Sequence, residues 1–154
     1  MSAPVPVLPG MAVANGIALS EDGHTLWATE FASNRLHRVA LSAPATIAPF
    51  GTAVPYHFIG GHPDSARTDS AGNVYVALYP QGRVLVFNRR GLPVAQILLP
   101  GRDHGHNLHS TSIVIQPGTD DLYIVSNDGE QGDRGAWIFR AKALVKAKRA
   151  FSHH

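Results

Sequence analysis

A repeat of 48 residues is the feature that most restricts how this chain can fold. Trp27, Tyr75 and Tyr123 are spaced by 48 (75 − 27 and 123 − 75), and so are Leu26, Val74 and Leu122. Arg35-Leu36 and Arg83-Val84 keep the same interval. Each repeat holds short runs of alternating or continuous apolar character, such as Val74-Tyr75-Val76-Ala77 and Val84-Leu85-Val86-Phe87, punctuated by turn-forming segments such as Asp22-Gly23 and Ala71-Gly72-Asn73. Helical repeats would instead space apolar residues by three and four. The pattern predicts an all-β chain of about three four-stranded antiparallel β-propeller blades, over residues 12–51, 60–100 and 108–140.

The strand expectations follow in order. The first blade takes Asn15–Leu19, Leu26–Glu30, Arg35–Leu41 and Thr46–Phe50, and Val54–Pro63 is expected as a linker. The second runs from Asp64 to an outer strand at Pro93–Leu99. The third takes Ile113–Ile115, Leu122–Ser126 and Ala136–Arg140, with no outer strand following. Val5–Leu8, bracketed by Pro6 and Pro9, is expected to be an edge strand that closes that blade in the same chain or in a partner. Residues 141–154 are expected as a helical or disordered tail.

At 154 residues the chain is short for a ring, which usually needs about four to eight blades. Composition excludes several classes of function. The net charge of +2 is small, and the basic residues that gather at Lys142, Lys146, Lys148 and Arg149 lack the wider basic face with aromatic stacking residues that nucleic-acid binding needs. There is no apolar run long enough to span a membrane, and Met1–Gly10 lacks the basic and apolar regions of a secretory signal, so the expected location is the cytoplasm. Without cysteine there is neither a disulfide framework nor a thiolate site.

In a propeller the first strand of each blade lines the central channel, and its first residues face one mouth. The repeat gives Asn15, Asp64 and Thr111 the same blade position, so three oxygen-bearing side chains converge on one axis. These are hard donors of the kind calcium or magnesium takes. Asn and Asp also cap turns at strand starts, and the spacing alone leaves both readings open. A rival set is His62, His104, His106 and His109 as zinc ligands, although His-x-His on a glycine-rich loop equally reads as loop polarity. There is no Gly-x-Ser-x-Gly elbow and no phosphate-cradling glycine loop.

Asn15-Gly16-Ile17-Ala18-Leu19-Ser20, Pro63-Asp64-Ser65 and Gly82-Arg83-Val84-Leu85-Val86-Phe87 resemble the senescence-marker-protein, gluconolactonase and luciferin-regenerating-enzyme family. The resemblance implies a six-bladed, calcium-dependent lactonase fold of which this chain matches the C-terminal half. It implies Asn15, Asp64 and the adjacent Ser65 as metal ligands, and Asp64 as the proton donor. A Glu and a second acidic ligand of the family pattern have no counterpart here. The implied reaction is metal-assisted opening of a small-molecule lactone, with a homodimer of two half-rings completing the site. A non-catalytic half-propeller scaffold and a fragment of a longer lactonase are the alternatives.

Overall fold

The computed structural model describes residues 3–129 and 135–147. Among these the chain forms three antiparallel sheets and no α-helix. The first sheet contains β1 (Ala14–Leu19), β2 (Thr25–Glu30), β3 (Arg35–Ala43) and β4 (Thr46–His57). The second contains β5 (His62–Thr68), β6 (Val74–Tyr79), β7 (Arg83–Phe87) and β8 (Pro93–Leu98). The third contains β9 (His109–Ile115), β10 (Asp121–Asn127) and β11 (Ala136–Lys142). Each is a meander in which every strand pairs with its neighbour in sequence.

Carboxylates and amides shape the turns. Asp22 Oδ1 accepts from the Ser20 hydroxyl at 2.6 Å and the His24 N–H at 2.9 Å. Asp69 Oδ1 accepts from the N–H groups of Ala71 and Asn73, and Asn88 Oδ1 from those of Arg90 and Leu92. These side chains replace the backbone partners that a tight turn leaves unmet.

The sheets touch through their first strands, β1 against β5 and β5 against β9. The middle sheet is therefore covered on both sides, which explains why Val74–Tyr79 reads as a continuous apolar run. Val74, Val76 and Leu78 join Trp27 and Leu36 in one core, while Tyr75 and Ala77 join Leu122 and Ile124 in another. The 48-residue repeat thus has a structural meaning. Trp27 faces the second sheet, Tyr75 faces the third, and Tyr123 occupies the same position on a face against which, among the described residues, no further sheet packs. The outer faces are correspondingly apolar and open: Ile17 and Leu19 on the first sheet, Val114 and Ile138 on the third.

Three expectations need correction. Val5–Leu8 is not a strand. Pro6 and Pro9 lack N–H donors, and the segment that follows is tied elsewhere, with Phe31 and Ala32 donating to the carbonyls of Val13 and Ala12. Val54–His57 belongs to β4 rather than to a linker, because an edge strand tolerates Pro49 and Pro55 where an inner one would not. Residues 141 and 142 extend β11, and 143–147 are irregular instead of helical. Ala143 is buried against the second core, and the Leu144 N–H donates to Tyr75 Oη at 2.7 Å, so tertiary contacts override the helix-forming composition. Among the described residues the third sheet has three strands, and Val5–Leu8 does not add the fourth. The expectations for residues 130–134, Lys148, Arg149 and the C-terminal residues lie outside the described residues.

Candidate functional site

The inner strands share a local irregularity. Pairing slips between Ala14 and Ile17 on β1, between Pro63 and Ala66 on β5, and opposite Val125 and Ser126 on β9. Asn15, Asp64 and Thr111 all sit at these bulges. A bulge takes a side chain out of the strict inward–outward alternation and re-aims it, which is why bulges recur beside active sites.

Two of the three candidates lie side by side. The Asn15 amide is near enough to the Asp64 carboxyl to favour its ionised form. Asp64 is half-buried, and loss of solvent raises its pKa above the usual carboxylate value, outweighing the Asn15 amide and the Ser65 N–H that favour the charged form. The Ser65 hydroxyl is engaged elsewhere: its Oγ accepts from the Ile113 N–H at 3.1 Å and ties β5 to β9. Thr111 is half-buried on β9.

Sequence reasoning missed the two residues that set this geometry. Thr29, on β2 and fully buried, accepts from the Gly16 N–H at 2.6 Å and donates to the Asp64 carbonyl at 2.6 Å. One hydroxyl therefore bolts the backbone beside Asn15 to the backbone of Asp64. Gly16 permits the approach, because a Cβ there would lie 2.3 Å from the Asp64 carbonyl oxygen and 2.7 Å from the Ala66 nitrogen. No sequence signal separates Thr29 from any other strand threonine; Gly16 inside a strand pattern is the one hint of a close backbone approach.

Rings line the same rim. Phe31 stacks on His62 with centroids 4.7 Å apart, and Tyr79 lies 4.4 Å from His109 and 6.1 Å from Phe31. His62 Nδ1 is 2.6 Å from the Asn34 amide, and His106 pairs with Asp128 at 3.1 Å. His109 faces the Asn127 amide at 3.3 Å, so these three histidines have separate partners, and His104 lies in the 3-10 turn Arg102–His104. Among the described residues no three His, Asp or Glu side chains gather as a metal-binding group.

Asn15 and Asp64 suit calcium in kind, being adjacent hard oxygen donors, but two donors are fewer than the about six to eight it takes. The remainder must come from water, substrate or another polypeptide.

The family model described as the SMP-30/gluconolactonase/LRE-like region matches residues 4–128. The chain belongs to this family. It is 53% identical over 151 residues to lactonase drp35 of Staphylococcus saprophyticus, an alignment covering 97% of this chain and 46% of that protein. It therefore spans about half the length of the relatives it matches. Among solved structures, a luciferin-regenerating enzyme superposes with a TM-score of 0.69 at 21% identity, over 90% of this chain and 49% of that one. Regucalcin from Agrobacterium tumefaciens, described as a calcium-binding protein, gives 0.69 at 20% identity, over 91% and 50%. At these identities the likeness is one of fold, and it makes the three sheets of this family member β-propeller-like.

Proposed function

We propose that this chain forms one half-propeller of a calcium-dependent lactonase, with Asn15 and Asp64 as its metal-facing pair. The observation that carries the reading is their placement at matching bulges of β1 and β5, where Thr29 ties Gly16 to the Asp64 backbone, in a member of this family. Ser65 contributes through its N–H, which favours the ionised Asp64 carboxyl, and its hydroxyl keeps one lone pair beyond the Ile113 bond.

Bound calcium supplies Lewis acidity, polarising a lactone carbonyl and favouring the oxyanion. The Asn15 side chain orients the Asp64 carboxyl. Asp64 accepts a proton from the water that adds to the carbonyl carbon, then returns it to the ring oxygen as the C–O bond breaks, giving the hydroxy acid. Thr29 and Gly16 hold these groups in register.

A second copy completes the ring in this reading. The Tyr123 face of one copy would meet the Leu26, Ile17 and Leu19 face of the other, reproducing the Trp27–Val74 and Tyr75–Leu122 relations inside the chain. A two-fold axis forms this seam twice and brings two donors from each copy to one channel. The apolar cavity of about 490 Å³ beside Val114, Tyr123, Val125 and Ile138 is the seat for that contact. The ring so formed acts in the cytoplasm.

A second reading draws on the 46% coverage of the relative: the missing half belongs to the same longer polypeptide. Light scattering on the purified chain separates the two. A stable species of twice 16.5 kDa that hydrolyses a simple lactone with calcium supports pairing of copies. A monomer or heterogeneous aggregate without activity favours the longer polypeptide. Activity that survives chelator overturns the metal mechanism.

A further inference from the structure

At the rim opposite Asn15 and Asp64, where β1 turns into β2, β5 into β6 and β7 into β8, the first two sheets part to leave a cleft of about 640 Å³. Three guanidinium groups line it, those of Arg38, Arg89 and Arg90, together with the indole of Trp27. Two carboxylates, Glu21 and Asp22, share the lining and leave it net positive. The Asp22 carboxylate is turned toward its own strand turn, held by the Ser20 hydroxyl and the His24 N–H. Among the described residues no ion pair involves Arg38, Arg89 or Arg90.

Arg38 is held before any ligand arrives. Its Nε donates to the Arg89 carbonyl at 3.1 Å, and its guanidinium carbon lies 5.9 Å from the centroid of the Trp27 ring. Trp27 is itself 1% exposed and cannot move aside. With Nε occupied, the two terminal nitrogens are left to donate in parallel, the geometry that a carboxylate or phosphate accepts. A fork fixed in advance loses less side-chain entropy on binding than a free arginine. Arg89 and Arg90 follow in the β7–β8 turn, whose shape Asn88 maintains.

We propose that this cleft binds a small organic oxyanion, a metabolite bearing carboxylate or phosphate groups, with Arg38 as the oriented fork and Arg89 and Arg90 as supporting charges. The site is independent of the metal-facing pair, so the lactonase reading can fail without it.

The test uses Trp27 as reporter in a Trp137→Phe background, with succinate and pyrophosphate as separate probes that tell carboxylate from phosphate, and calorimetry as a second readout. Saturable binding of at least one probe is expected. It should weaken by about tenfold or more in Arg38→Gln and in Arg89→Gln/Arg90→Gln, and to a lesser degree in Arg38→Lys, which keeps charge but loses the fork. Asp64→Asn should bind as the parent does. Arg89 and Arg90 are exposed, so the double variant keeps the fold even where Arg38→Gln does not. Absence of saturable binding by both readouts, or binding undiminished in the double variant and in Arg38→Lys, overturns the proposal.

Discussion

Replacing Gly16 with alanine tests how tightly the backbone beside Asn15 is pressed onto Asp64. The added Cβ would stand 2.3 Å from the Asp64 carbonyl oxygen, 2.7 Å from the Ala66 nitrogen and 2.8 Å from the Ser65 carbonyl carbon. Carbon and oxygen ordinarily approach no closer than about 3.3 Å, so the strands must separate by about 1 Å. All three obstacles are backbone, which cannot rotate away as a side chain would. Overpacking of this kind costs about 1–3 kcal/mol, or about 2–12 °C of melting temperature for a chain of this size. The displacement also stretches both Thr29 bonds and moves Asn15 away from Asp64. Calorimetric unfolding alongside calcium titration should show both losses in Gly16→Ala. A variant that melts within about 1 °C of the parent would refute the crowding argument. A clear drop in melting temperature with calcium binding intact would refute the link from crowding to the metal-facing pair.

Thr29→Val keeps the volume but leaves the Gly16 N–H and the Asp64 carbonyl without their partner; a destabilisation of about 2–4 kcal/mol is expected in denaturant unfolding, with Thr29→Ser near the parent. Ile138, 73% exposed on the free face of the third sheet, should tolerate Ile138→Asp without unfolding. If that face is the seam, the solution mass falls from twice 16.5 kDa to 16.5 kDa, and a persistent dimer means pairing uses another surface. Buried Glu30 accepts from the Ala12 N–H at 2.7 Å and pairs with His37 at 2.7 Å, contacts that hold its carboxyl below the usual glutamate pKa of 4.5. The fold favours the ionised form, so this stabilisation is full above 4.5 and is lost as pH falls through the lowered folded value. Acid unfolding of Glu30→Gln should be less steep over that range, and an unchanged acid limb would contradict the assignment.

The large pattern was legible because it is periodic. Trp27, Tyr75 and Tyr123 mark a repeat, and the apolar run Val74–Tyr79 marks a strand buried on both faces. The closeness of the strand starts that carry Asn15 and Asp64 was legible for the same reason, since equivalent positions in successive repeats face one axis. Long-range contacts were not. Nothing local tells that Thr29 bridges β1 to β5, or that the Ser65 hydroxyl turns to the Ile113 N–H. Prolines misled at β4, where position at a sheet edge decides whether Pro49 and Pro55 are tolerated. Composition misled after residue 140, where Ala143 and Leu144 pack against the second core instead of coiling into a helix.

Calcium titration of the parent chain against Asp64→Asn, by isothermal calorimetry, bears most directly on the claim that Asn15 and Asp64 jointly face a divalent cation. Saturable binding in the parent and its loss in the variant, with melting behaviour otherwise retained, is the predicted result. Equal calcium binding by both proteins, or by neither, would contradict it.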